Sequence, residues 1–227
     1  MKQQKSRREI LRSGLYGAAG SLVASGIAKA QIGSCLTATP AQTEGPFYPE
    51  ETNRQPIPVD EVDLDLTKVA GRNQIARGEI LRLKVTVSDP DCRPISGATV
   101  DLWQACATGR YNHTADPNEA ELDPDFQYQG IGQTNSEGSL TFRTVKPGAY
   151  PAASGWTRPA HIHFIVEAEG YQPLTTQMYF AGESLNLRDR ILQGLSPAER
   201  NNVVVEFNRP SMNELPEGEF RIVLNPL

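Results

Sequence analysis

The 227-residue sequence predicts an all-β domain, an antiparallel β-sandwich or barrel, on three observations. Short runs alternate apolar and polar residues, turn-forming clusters separate those runs, and helical periodicity is almost absent. Ile80 to Ser88 shows the alternation most clearly, with Leu81, Leu83, Val85 and Val87 on one face and Arg82, Lys84, Thr86 and Ser88 on the other. Asp89 to Arg93 supplies a turn, and Thr99 to Cys106 the next strand. A long polar stretch, 107–138, closes on an Asn135 to Gly138 turn that leads into a strand over Ser139 to Val145. Lys146, Pro147 and Gly148 then turn the chain into a second long loop, 146–160. Further strands are expected at His161 to Glu167, Thr175 to Phe180, Val203 to Asn208 and Glu219 to Leu224. One short helix fits, with Ser196 at its cap, Pro197 in its first turn and Glu199 at the third position. Ahead of these elements Thr43 to Pro49, rich in Pro and Gly, reads as an ordered lead-in or loop. A scaffold of this class keeps its chemistry in its long loops.

Residues 1–30 read as an address. Ser6 to Arg12 is basic with paired arginines, Gly14 to Ala28 is apolar and uncharged, and Ala28-Lys29-Ala30 forms a cleavage site of small residues, together a twin-arginine export signal. The apolar run is shorter than the ~20 residues a spanning helix needs, so no stable membrane insertion is expected after cleavage. Ile32-Gly33-Ser34-Cys35 offers a lipoprotein box as the alternative, though it sits far beyond the apolar run. The expected product is a periplasmic or extracellular domain spanning 31–227.

Residues 1–30 hold six Lys/Arg and one Asp/Glu, so the remainder carries 16 basic and 26 acidic side chains, a formal net charge of −10. Such a surface repels nucleic acid. Cys35, Cys92 and Cys106 are an odd set, so at most one disulfide forms within the chain. Cys92 and Cys106 flank an extended segment too long for them to join each other.

The chemistry centres on Arg158-Pro159-Ala160-His161-Ile162-His163-Phe164. On a strand, His161 and His163 share one face while Ile162, Phe164 and Val166 take the other. Two of the three histidines in the chain therefore converge on one point, which suggests a metal site. Tyr111 and Tyr150, each following a glycine in a long loop, complete a set of two phenols and two imidazoles. A phenol is a poor ligand below its pKa of ~10, so a strongly Lewis-acidic ion such as Fe(III) is needed to hold it as phenolate. Zinc more often recruits thiolate, imidazole or carboxylate.

Four blocks then carry a family resemblance: Gly109-Arg110-Tyr111-Asn112-His113, Thr144-Val145-Lys146-Pro147-Gly148-Ala149-Tyr150-Pro151, Arg158 to Phe164, and Thr176-Gln177-Met178-Tyr179-Phe180. In this order and spacing they resemble the intradiol ring-cleavage dioxygenases, most closely the protocatechuate 3,4-dioxygenase branch and its beta subunit, from about Thr43 to Leu224. The resemblance implies a β-sandwich with long active-site loops, and a non-haem Fe(III) held by Tyr111, Tyr150, His161 and His163. It implies O2-dependent cleavage of a catechol-type aromatic diol between its hydroxylated carbons. Tyr111 would take a substrate proton, Arg158 would stabilise negative charge on the ring and Gln177 would assist it. Thr43, Gly45 and Pro46 resemble a segment lining the substrate pocket. Asp101 and Trp103 read as structural, and His113 as a loop residue.

Two departures stand out. Protocatechuate enzymes of this type usually carry tryptophan two residues after the second tyrosine, where this chain has Ala152, and the segment Pro151 to Thr157 is short. Relatives commonly pair two different subunits, whereas this chain has both the lead-in and the full donor set, which favours a homo-oligomer. Two other classes compete. Pro94-Ile95-Ser96-Gly97-Ala98 and Pro147-Gly148-Ala149-Tyr150 also resemble prealbumin-like binding modules, and an exported iron or catecholate binder would keep the metal without ring cleavage.

Overall fold

Alternation of apolar side chains builds two sheets whose inner faces meet. The computed structural model describes residues 37–50 and 63–227; the leader, the lipoprotein box and Cys35 lie outside the described residues. One sheet has three strands, β1 (Ile80–Ser88), β4 (Ser139–Val145) and β10 (Glu217–Val223), in the order β10-β1-β4. The other has five, β2 (Thr99–Trp103), β3 (Gln129–Gln133), β7 (His161–Glu167), β8 (Leu174–Phe180) and β9 (Val204–Val205), in the order β3-β2-β7-β8-β9. A hairpin of β5 (Tyr150–Ala153) and β6 (Trp156–Arg158) stands beside them. The pairings β1–β10 and β8–β9 are parallel and the rest antiparallel.

The core lies between the two larger sheets. Leu81, Leu83, Val85 and Val87 of β1, Phe142 of β4 and Phe220 and Ile222 of β10 meet Val100 and Leu102 of β2, Ile162, Phe164 and Val166 of β7, and Met178 of β8. Phe164 and Phe220 cross the interface with ring centroids 5.1 Å apart. Burying a side chain of this size contributes roughly 1.5–3 kcal/mol, which makes this layer the main source of stability.

Several expected boundaries hold, and others move for identifiable reasons. β1, β4 and β7 match their expected ranges. β2 stops at Trp103 rather than Cys106: the Gln104 backbone N still donates to Tyr128 O, but beyond it the chain turns away, with Gly109 N donating to Cys106 O to close a turn. Helix α2 (Pro197–Val203) has the expected capping box, with Ser196 and Glu199 bonding reciprocally. It takes up Val203, leaving a two-residue β9 where a longer strand is expected. The single helix expected is joined by α1 (Arg190–Gln193) and a 3-10 turn over Ser184–Arg188.

Both long loops contain strands. β3 is hidden by glycines: a Cβ at Gly130 would stand 2.6 Å from Leu66 Cδ1, and one at Gly132 2.5 Å from Leu64 Cδ2. The missing side chains let Leu64 and Leu66 lie against the strand, at the cost of the alternation that betrays one. Cys92 is disulfide-bonded and Cys106 is free and buried, so the two are not joined to each other, as expected.

Asp65 ties the segment ahead of β1 to β4. It accepts from the Thr67 amide and hydroxyl and from Arg143 Nη1 at 3.1 Å, while backbone bonds flank it at Leu64 and Leu66. Burial pushes its pKa up, but the bonds from Thr67 and Arg143 and the Arg143 charge outweigh this and leave it below the usual value. A folded pKa below the unfolded ~3.9 gives stabilisation that is present above that value and lost as pH falls through the lowered one. The urea midpoint of the native protein is therefore expected to fall further between pH 5 and pH 3 than that of Asp65→Asn; equal falls would remove Asp65 from the acid response.

Candidate metal centre

The pleat of β7 sends His161 and His163 away from the core, onto the outer face of the five-stranded sheet. Pairing register decides their neighbours. Trp103, His163 and Gln177 lie side by side across β2, β7 and β8, and His161 faces Tyr179 in the adjacent row. Directly opposed residues share a face, so these side chains form one patch. The rings of Trp103 and His163 stack, with centroids 4.8 Å apart and planes 14° apart. A second hydrophobic cluster covers the patch: Trp103, Ala105, Tyr111 and Tyr150, with Phe47, Tyr48 and Ile165 against it.

The two tyrosine loops are pressed together at their glycines. Cys106 O accepts from both Gly109 N (2.9 Å) and Gly148 N (3.0 Å). Gly109 has φ +85°, and a Cβ there would stand 2.5 Å from Ala149 O. One at Gly148 would meet the Gly109 nitrogen and stand 2.5 Å from Ala107 O. Backbone contact this close aims both tyrosines at the histidines.

Tyr111 Oη lies 3.2 Å from His161 Nε2 and 3.1 Å from His163 Nε2. His161 Nδ1 donates to the Pro159 carbonyl at 2.7 Å, because a carbonyl only accepts, and the Nε2 lone pair is thereby turned toward Tyr111. His163 Nδ1 has no hydrogen-bond partner, so stacking on Trp103 sets that ring. Tyr150 meets Tyr111 edge-on, with centroids 5.5 Å apart. All four side chains are buried.

Burial first, then the Arg158 charge, lowers the basicity of both imidazoles, with His163 down to about 3 and His161 well below its ordinary value. Burial also pushes both phenols up; Tyr150 adds to this at Tyr111, and Arg158 opposes it at both. The result is two neutral nitrogen donors and two phenols in a dry pocket. This donor set fits a small, highly charged cation, which would compensate the cost of ionising buried phenols. Among the described residues no cluster of three or more His, Cys, Asp or Glu offers another metal site.

Arg158 is buried beside the set. Its Nε donates to Asp189 Oδ2 (2.8 Å), and its Nη2 donates to Gln177 Oε1 (2.7 Å) and Tyr179 Oη (3.1 Å). Gln177 Nε2 donates in turn to Thr43 O at 2.7 Å, and Tyr179 Oη to Gln42 Oε1 at 3.1 Å, strapping the lead-in across the site. Thr43 Oγ1 accepts from Gly45 N (3.1 Å), and a Cβ at Gly45 would stand 3.5 Å from His163 Cε1. Pro46 is exposed; Phe47 is the lead-in residue that covers the tyrosines, 5.0 Å from Tyr111 and 6.3 Å from Tyr150 between centroids. His113 is buried and accepts from Ala115 N, a turn contact.

Every expected site residue except Pro46 thus lies in one connected cluster. Sequence reasoning missed Trp103 as a wall of the site, Phe47, Tyr179, Gln42 and Asp189. Trp103 and Tyr179 were findable from alternation, since each sits on a strand next to the histidine strand, but their register was not. Asp189 carried no signal beyond its place as a helix cap.

A family model described as "Dioxygenase" matches residues 44–226, nearly all of the described chain. The chain belongs to the intradiol ring-cleavage dioxygenase family. It is 40% identical over 172 residues to the protocatechuate 3,4-dioxygenase beta chain of Burkholderia cepacia, covering 72% of each chain. It is 32% identical over 160 residues to a catechol 1,2-dioxygenase of Acinetobacter lwoffii, covering 65% of this chain and 48% of that relative, so it spans about half of the latter's length. Among solved structures, the dioxygenase domain of a dioxygenase and carbohydrate-binding fusion from Streptomyces sp. SirexAA-E superposes with TM-score 0.60 at 29% identity, covering 84% of this chain and all of that one. The sandwich expected from alternation is the fold this family shares.

The glycine contact between the tyrosine loops is open to a direct check. Gly148→Ala is expected to destabilise the protein by about 1–3 kcal/mol, the usual cost of overpacking a tight contact. Thermal or urea denaturation reads it, and unchanged stability would mean that the loops part easily.

Proposed function

We propose that this intradiol dioxygenase family member is a non-haem Fe(III) enzyme that cleaves a catechol, protocatechuate or a related diol, between its two hydroxylated carbons to give a muconate-type diacid. The observation that carries this is the approach of one phenol oxygen, that of Tyr111, to two imidazole nitrogens at 3.1 and 3.2 Å beside a buried guanidinium. Tyr111, Tyr150, His161 and His163 are the ligands. The ferric ion supplies Lewis acidity that binds a diol in its ionised form and draws electron density from its ring.

The chain's own residues do the rest. Tyr111, buried and of raised basicity, accepts a proton from a substrate hydroxyl. Tyr150, His161 and His163 stay in place, the last locked against Trp103. Arg158 keeps its charge at every working pH and faces the ring, so it stabilises the negative charge that develops there before O2 attacks. Gln177 and Tyr179 orient it. Phe47 and the strapped lead-in exclude water and offer an aromatic surface to the ring. Both atoms of O2 enter the product and the substrate supplies all the electrons, so no external reductant is consumed.

The lead-in lies on its own chain's site, which supports a site complete in each protomer of a homo-oligomer. Ala152 is exposed on the β5–β6 hairpin, where relatives place a tryptophan, so a substrate panel rather than protocatechuate alone is the right assay. Protein from iron-replete cells is expected to be red to burgundy and to consume O2 with catechols. A colourless, iron-free protein would favour the prealbumin-like module, and colour without ring cleavage would favour the iron or catecholate binder. Tyr150→Phe is expected to bleach the visible band and abolish turnover; retention of both would remove Tyr150 from the ligand set. Arg158→Ala is expected to keep iron and colour while slowing ring cleavage by about 10²-fold or more, the scale of losing one charge-stabilising donor. Normal turnover would overturn its role.

We also propose export through the twin-arginine route, which moves folded protein and would allow metal loading beforehand. The paired Arg7 and Arg8 and the disulfide at Cys92 support this reading. Residues 1–35 fused to a reporter are expected to be exported in normal cells and retained in cells lacking that route.

A further inference from the structure

Asp189 lies outside all four motifs in sequence, yet its side chain is fully buried. Both carboxylate oxygens are committed. Oδ1 accepts from Leu192 N at 2.8 Å and caps helix α1, while Oδ2 accepts from Arg158 Nε at 2.8 Å. Together with the bonds from Nη2 to Gln177 and Tyr179, this occupies the Nε and Nη2 edge of the guanidinium. Register fixes where the rest of the group sits, because Arg158 and Tyr150 are direct cross-strand partners in the β5–β6 hairpin. Gln177 and Tyr179 are neutral. Of these three partners Asp189 supplies the charge that resists rotation of the guanidinium toward the phenols.

We propose that Asp189 is a positioning residue, clamping Arg158 through Nε so that its Nη1 edge is presented beside Tyr150 and the diol. The catalytic consequence rests on the function proposed above; the clamp itself does not. A carboxylate bonded to one nitrogen, rather than to both Nη atoms, leaves the outer edge of the fork unspent. The same side chain starts α1, so the helix and the guanidinium are set by one group.

Asp189→Ser separates its two roles, since serine remains a good N-cap but is too short to reach Arg158. Asp189→Asn is the second variant: its single amide oxygen can serve the cap or the clamp, not both. The first measurement needs neither metal nor turnover. In ¹⁵N-labelled protein the Arg158 Nε–H resonance, assigned by its absence in Arg158→Ala, is expected to exchange slowly in the native chain. In Asp189→Ser it is expected to shift and exchange faster, with far-ultraviolet circular dichroism unchanged. The second measurement uses the iron-loaded enzyme. Asp189→Ser is expected to keep its iron content and visible band and to lose kcat by about 10- to 100-fold, as for a misplaced catalytic group, with KM little changed. In an Arg158→Ala background the same substitution is expected to cause no further loss. An unshifted, still protected Nε–H would overturn the clamp, and an equal loss of kcat in both backgrounds would show Asp189 acting through stability alone. A native enzyme that binds iron and cleaves no diol would overturn the functional reading and the catalytic half of this proposal, while the resonance still decides the clamp.

Discussion

The pleat of one strand governs this molecule. β7 sends Ile162, Phe164 and Val166 into the sandwich and His161 and His163 to its outer face, so a single run of seven residues serves both the core and the candidate metal centre. A slip of one residue in its pairing would exchange the two sets, burying imidazoles among leucines and exposing the apolar side chains. The core therefore enforces the geometry of the site. Packing of Phe164 against Phe220 locks the register that puts His163 between Trp103 and Gln177.

Electrostatics then sets what the site can hold. Beside the donors lies a buried ion pair, Arg158 with its partner Asp189, 2.8 Å apart, while the Asp116 charge reaches both phenols from the Tyr111 loop. Removing two charges from water is costly, and a pair this deeply buried is retained at little or no net gain in stability. Its value lies in the field. Burial first, then the guanidinium, keeps the imidazole nitrogens neutral and free to donate, while burial raises the phenols and the guanidinium partly offsets that rise and eases their ionisation. The lead-in strap, through Thr43 and Gln42, closes the pocket from the other side and joins the same hydrogen-bond network.

Most strands were legible because they lie on half-buried sheets, where burial forces a period of two. β3 was not, since Gly130 and Gly132 make room for Leu64 and Leu66 instead of presenting side chains of their own. The β5–β6 hairpin was masked by Pro151, Gly155 and mostly exposed residues, which carry no alternation. The short α1 helix depends on a buried aspartate that spends its other oxygen on Arg158, a tertiary contact with no local trace.

The sequence by itself determined most of the strand pattern and the placing of two histidines on one face, which follow from local periodicity, and residue chemistry singled out Tyr111, Tyr150, His161 and His163 as candidate donors. Tertiary structure alone decided that the donors meet, that Trp103 walls the site, that Phe47 covers it and that Asp189 holds Arg158. Contacts around the site join residues up to 137 positions apart, as between Gln42 and Tyr179, and are fixed by sheet register and close backbone approach. Neither quantity is written in any short stretch of chain, since each depends on which strands pair and on how closely two loops can come together.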